Sequence, residues 1–214
     1  MKQMSGLSCA LFLILHDPFT GKGEVSQELL ESGVSAAQLA DLVIARRLEI
    51  IDDHVMLPRT GRSPADDEVG EYVIGCVADQ EKTYAVRMWV ASLGAAVTDL
   101  VVRDLLYAGV VQHERGRRGL RGRKPDRFPA SDLLRASSSR NRVRHMLAHP
   151  SEFDLAGAML ASLVGALGAE RVFEVDNARD LLKELNTHMP SPLQAVIAGL
   201  AATIGARSLA LGGR

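Results

Sequence analysis

Cysteine is scarce in this sequence: Cys9 and Cys76 stand far apart and outside any Cys-x-x-Cys spacing. A disulfide framework and a structural zinc site both lack their ligands, and a reducing, cytoplasmic environment fits this usage. Aromatic residues are also few, at 4%. The core must therefore come from Leu, Val, Ile and Ala, which favours closely packed helices over an aromatic-rich β-sandwich. A strong charge of one sign is missing too. At a net charge of −1, any preference for nucleic acid or membrane must reside in a local patch.

Long apolar runs are limited. Leu11–Leu15 lies behind Lys2 but is short, lacks a small-residue cleavage site and meets His16-Asp17-Pro18 at once, so no signal peptide is expected. The run Leu193–Leu211 is rich in Ala and Gly and carries Gln194, Thr203, Arg207 and Ser208. It reads as a buried core helix rather than a membrane span.

What is present fits one mainly α-helical domain over residues 1–214, with one or two short β-hairpins. Apolar residues make up 47% of the 214-residue chain, enough for a sizeable core, and no repeat or linker divides it. Leu7–Leu15 reads as a first helix closed by Asp17-Pro18, and Ser35 as the cap of a second, Ala36–Arg46. Leu48–Ile51 and His54–Leu57 read as a hairpin turning on Asp52-Asp53. Ser63-Pro64-Ala65-Asp66 is a helix start, with Val69, Tyr72, Val73, Cys76 and Val77 facing inward. Two helices, Thr83–Ser92 and Ala95–Tyr107, are expected to separate near Gly94, with Gly109 stopping the second. Trp89 is expected in the core. Extended legs around residues 110–129 form a second hairpin. A helix from Ser131 is expected to break at Ser137–Ser139, and helices punctuated by Gly168 and Met189-Pro190 complete the chain.

Catalytic patterns are absent. No nucleotide-binding glycine loop occurs, and no Gly-x-Ser-x-Gly surrounds a serine. His145 and His149 share a helix face, but no Glu lies between them as in His-Glu-x-x-His, and Pro150 follows. Asp52-Asp53 and Asp66-Asp67 read as turn and helix-start residues. No catalytic residue, cofactor or metal is assigned.

Four segments in succession carry a resemblance. The first helix runs into Asp17-Pro18-Phe19-Thr20-Gly21, and Ala45-Arg46-Arg47-Leu48-Glu49-Ile50 closes the second. Leu106-Tyr107-Ala108-Gly109-Val110-Val111 then leads to a basic hairpin closing at Arg127-Phe128-Pro129. Over residues 7–205 this order resembles the Golgi phosphoprotein 3 family, in its actinobacterial form. The resemblance implies a mainly α-helical, non-catalytic domain. Eukaryotic members are peripheral Golgi proteins that bind phosphatidylinositol 4-phosphate and cargo enzymes, and their hairpin aids membrane contact and self-association. Their headgroup pocket uses one tryptophan and three arginines. Ser26, Ser35, Ala95 and Thr98 stand at the matching positions here, and hydroxyls do not replace bidentate guanidinium donors.

The basic hairpin remains the feature that departs most from the rest of the chain. Arg115, Arg117, Arg118, Arg121, Arg123, Lys124 and Arg127 oppose only Glu114 and Asp126, a net +5 between His113 and Arg127. It can be a solvated tip or an anion-binding finger, drawn to an anionic membrane lipid headgroup or an acidic protein partner. Two further readings stay open. One is a winged-helix nucleic-acid binder, weakened because Ala95–Tyr107 offers only Arg103 beside Asp99 and Asp104. The other is a homo-oligomer assembled through the hairpin.

Overall fold

Helix α1 (Leu7–Ile14) is apolar on every side and lies at the centre of the fold, with Leu11, Phe12 and Ile14 fully buried. The computed structural model describes residues 6–59, 64–65, 67–116, 118–119, 122–123, 125–176 and 178–212. Around α1 pack α2 (Gln27–Ile44), α4 (Val86–Tyr107), α5 (Leu133–Ala148) and α6 (Leu155–Ala166). The shorter α3 (Glu68–Ala78) packs on α2 and α4, and α7 (Ala178–Thr187) packs on α6. The last helix, α8 (Ser191–Gly212), packs on α2, α4 and α6. The mainly α fold expected from composition is observed, and the buried side chains are overwhelmingly Leu, Val, Ile and Ala.

Several helix boundaries differ from the sequence expectation, for reasons of capping, hydrogen bonding or close packing. Helix α2 begins nine residues before Ala36, because Ser26 rather than Ser35 caps it by accepting the Leu29 amide. Ser35 is instead a buried mid-helix residue, and Gly33 in the same helix is a point of close approach, where a Cβ would sit 2.7 Å from Leu167 Cδ1. Helix α4 is likewise continuous through Gly94, where a Cβ would lie 3.2 Å from the Glu31 carbonyl. That glycine lets α2 and α4 approach; it does not separate two helices. Helix α5 runs through Ser137–Ser139, since Ser137 and Ser138 turn their hydroxyls onto the Leu133 and Arg135 carbonyls.

Helix α3 also starts later than expected. Asp67 caps it, accepting the Gly70 amide at 2.6 Å, while Ser63 and Asp66 lie outside the described residues. Val69, Val73 and Val77 face inward as expected, joined by Ile74, but Tyr72 is exposed and Cys76 half-buried. Trp89 is buried as expected.

The first hairpin pairs β1 (Glu49–Ile51) with β2 (His54–Met56), and Asp52 and Asp53 both take positive φ, the conformation a two-residue hairpin turn needs. A short third strand, β3 (Tyr84–Ala85), pairs with β2 where a helix was expected. Gly109 and Gly168, both at positive φ, end α4 and α6 as expected.

Helix α8 is long and apolar enough to cross a membrane by length and composition. One side of it is core: Leu193, Val196, Ile197 and Leu200 are buried. Its C-terminal half is tied down as well. The Thr203 hydroxyl is shared between the Gly199 carbonyl of its own helix at 2.8 Å and the Arg87 carbonyl of α4 at 3.2 Å, and Arg207 donates to the Glu28 carbonyl and Ser32 Oγ at 2.7 and 2.9 Å.

Candidate anion-binding surface

The basic segment leaves the end of α4 and returns to the start of α5 as two antiparallel legs. Val111 bridges to Ala130 and Glu114 to Arg127, with Glu114 and Arg127 exchanging both backbone hydrogen bonds at 2.9 Å. Further out, β4 (Arg118–Gly119) pairs with β5 (Gly122–Arg123). Asp126 stitches the legs together, accepting the Gly116 amide at 2.9 Å and the His113 Nε2 at 2.8 Å. The hairpin read from the sequence is therefore present.

Its root is anchored in the core by stacked rings. The His113 imidazole lies parallel to Phe128 at 5.2 Å, and Phe128 meets Phe12 and His16 edge-on at 5.4 and 5.7 Å. His16 stacks on Phe12 at 4.1 Å and bonds the Phe12 carbonyl through Nδ1. Burial, reinforced by the Arg140 charge against the opposing pull of that carbonyl, lowers its pKa to about 4, so the ring is neutral near pH 7.

The Asp17–Gly21 loop buttresses the returning leg. Asp17 Oδ1 accepts the Thr20 hydroxyl and amide, both at 2.7 Å, and the Thr20 hydroxyl is the main reason its carboxyl titrates below the usual range. The Gly21 carbonyl accepts the Phe128 amide at 2.9 Å, and the Pro18 carbonyl accepts the Ala130 amide at 2.8 Å. Only glycine fits at position 21: its φ is +63°, and a Cβ would lie 2.2 Å from the Pro129 nitrogen. From α5, Arg140 bonds the Ile14 and His16 carbonyls at 2.6 and 2.8 Å, a cation at the C-terminal end of α1.

The positive side chains fall into two groups. Arg115 and Arg127, on the inner part of the legs, are exposed. Arg118 and Arg123 are cross-strand partners in the β4–β5 pair. Arg117, Arg121 and Lys124 lie outside the described residues. The arginines downstream of the hairpin are engaged within the fold: Arg142 pairs with Asp154 and Arg144 with Glu174, while Arg140 holds α1.

The positions matching the family's headgroup pocket do not form a cationic cup. Ser35 and Thr98 are 0% and 3% exposed, and their hydroxyls have no partner. Ser26 is spent on capping α2, and Ala95 is exposed but apolar. His145 bonds Glu152 at 3.0 Å and stacks near His149 at 4.5 Å. Among the described residues, no group of three or more His, Cys, Asp or Glu side chains is placed to hold a metal.

The basic hairpin is visible in the sequence, but its bracing is not, because Gly21, Phe128, His113 and Arg140 meet their partners only in the fold. Together the fold and this surface define a mainly helical protein that presents a basic hairpin braced against its N-terminal helix. The family model for Golgi phosphoprotein 3 (GPP34) matches residues 7–205, and the chain belongs to that family. Among curated proteins no match is found.

Proposed function

We propose that this protein is a non-enzymatic peripheral adaptor that meets anionic lipid headgroups, or an acidic protein partner, through its basic hairpin. The observation that carries the reading is the net +5 between His113 and Arg127 on a stem braced by the Asp17–Gly21 loop. Near an anionic bilayer each Lys or Arg contributes about 1 kcal/mol, so the attraction is useful, reversible and salt-sensitive. Family membership supports a Golgi-phosphoprotein-like role, and the anionic cytoplasmic face of a membrane is the surface to which a basic hairpin is drawn. Phosphatidylinositol 4-phosphate is one headgroup of the right charge. Because Ser35 and Thr98 are buried hydroxyls, recognition rests on charge density rather than on the arginine pocket of the eukaryotic members.

Binding to nucleic acid has less support, because Arg140, Arg142 and Arg144 are already occupied by partners within the fold. Co-sedimentation with vesicles tests the proposal. Binding to phosphatidylserine-containing vesicles should exceed binding to pure phosphatidylcholine and weaken as salt is raised. Equal binding to both overturns it.

A further inference from the structure

Large apolar side chains that a fold leaves in water gain nothing for its stability, so several at one place call for an explanation. Three of the most exposed here gather at the root of the hairpin. Phe19 is 75% exposed, Tyr107 95% and Leu134 84%. The backbone brings their segments together. Phe19 lies in the loop whose Pro18 and Gly21 carbonyls bond Ala130 and Phe128 of the returning leg. Tyr107 ends α4 just before the outgoing leg, and the next carbonyl, that of Ala108, accepts Arg135 Nη1 at 3.0 Å. Leu134 adjoins Arg135 in the first turn of α5, and the Val110 carbonyl accepts the Ser131 amide at 2.8 Å. Loop, entry and exit of the hairpin thus each carry one protruding apolar side chain.

Cations surround the same place. Lys22, Arg115 and Arg127 are exposed beside the loop and on both legs. Of the nearby carboxylates, Asp126 bonds His113 and the Gly116 amide, Asp132 caps α5, and Asp17 holds Thr20. Glu114 is the exposed acid on the legs. Apolar side chains set among cations match the boundary of an anionic bilayer, where aromatic rings sit at headgroup depth and basic residues meet lipid phosphates.

We infer that Phe19, Tyr107 and Leu134 form an apolar collar that enters the headgroup–acyl boundary of an anionic membrane when the basic hairpin docks on it. This rests on the proposed function and adds a second, salt-resistant component to it. Charge alone would bring the protein to the surface. The collar would fix how deep it sits and which face it turns toward the lipid.

The test compares the full-length wild type with the triple variant Phe19→Ser, Tyr107→Ser, Leu134→Ser on phosphatidylcholine–phosphatidylserine vesicles at low and high salt. All three side chains are exposed, so the thermal midpoint should stay unchanged. The variant should bind about tenfold or more weakly, with the larger loss at high salt, where the electrostatic part is screened. As a second readout, Phe19→Trp should shift its emission to the blue on these vesicles; the native Trp89 is buried and supplies a constant background. A wild type that binds while the triple variant binds equally well, or a Phe19→Trp emission that does not move, overturns the collar alone. Loss of self-association in the variant with undiminished vesicle binding also overturns it, assigning the patch to a second copy of the chain. A wild type with no preference for anionic vesicles overturns the proposed function itself.

Discussion

The Gly21 carbonyl accepts the Phe128 amide at 2.9 Å, joining the loop after the first helix to the returning leg of a hairpin more than a hundred residues later. This contact is one of several that brace the hairpin, beside the Pro18–Ala130 hydrogen bond and the Phe128 ring contacts. Gly21 permits it through its positive φ and missing Cβ, and Phe128 then reaches Phe12 and His16 in the core.

Gly21→Ala should therefore be costly. The new Cβ would meet backbone atoms of Phe128 and Pro129, which cannot swing aside as a side chain can. We expect a loss of at least about 2 kcal/mol, from positive-φ strain and displaced hairpin contacts together. Urea denaturation measures it, and hydrogen exchange at the Phe128 and Ala130 amides should rise in the same variant.

Arg140→Ala should destabilise by about 2 kcal/mol, because two carbonyls at the end of α1 lose their charged donor. Arg140→Lys should recover only part of this, since one ammonium does not reproduce the guanidinium geometry. Denaturant midpoints of the two variants against wild type check the order.

His16 makes stability fall in mild acid. Its folded pKa is about 4 against 6.5 for the ordinary side chain, so the unfolded chain binds the proton first as pH drops. The stability due to the neutral buried ring is complete above pH 6.5 and is lost as pH falls toward 4, roughly 3 kcal/mol in all. Asp17 and Glu170, with carboxyl pKa values below the usual range, act mainly at lower pH. His16→Gln should flatten the dependence of unfolding free energy on pH across that window.

The two thiols should differ sharply. Burial, with help from Asp104, Asp67 and Asp41, pushes Cys9 up to about 12, whereas Cys76 is half-buried on α3. A thiol reagent added to native protein should label Cys76 and spare Cys9 until the chain unfolds. Mass spectrometry of the labelled protein reads this directly.

Legibility followed the range of the interactions. The apolar α1, the Asp52-Asp53 turn, the Gly109 and Gly168 stops and the basic hairpin are local patterns, and each is where the sequence places it. Gly94 looked like a break, yet it lies inside a continuous helix and marks where the Glu31 backbone of α2 comes close. Ser35 resembled a cap because nothing nearby reveals that Ser26 already serves. The hairpin's charge could be counted from the chain, but its bracing by Gly21 and Phe128 depends on residues that meet only in the fold.

In the proposed function, the hairpin's charge is what draws the protein to anionic surfaces. Changing Arg117, Arg118, Arg121 and Arg123 together to Gln removes four of the seven cations and leaves the described stem contacts of Glu114, Asp126 and Arg127 in place. In vesicle co-sedimentation at low salt, affinity for phosphatidylserine-containing vesicles should fall about 100-fold or more, with little change on phosphatidylcholine alone. An affinity for anionic vesicles that survives this substitution would contradict the account.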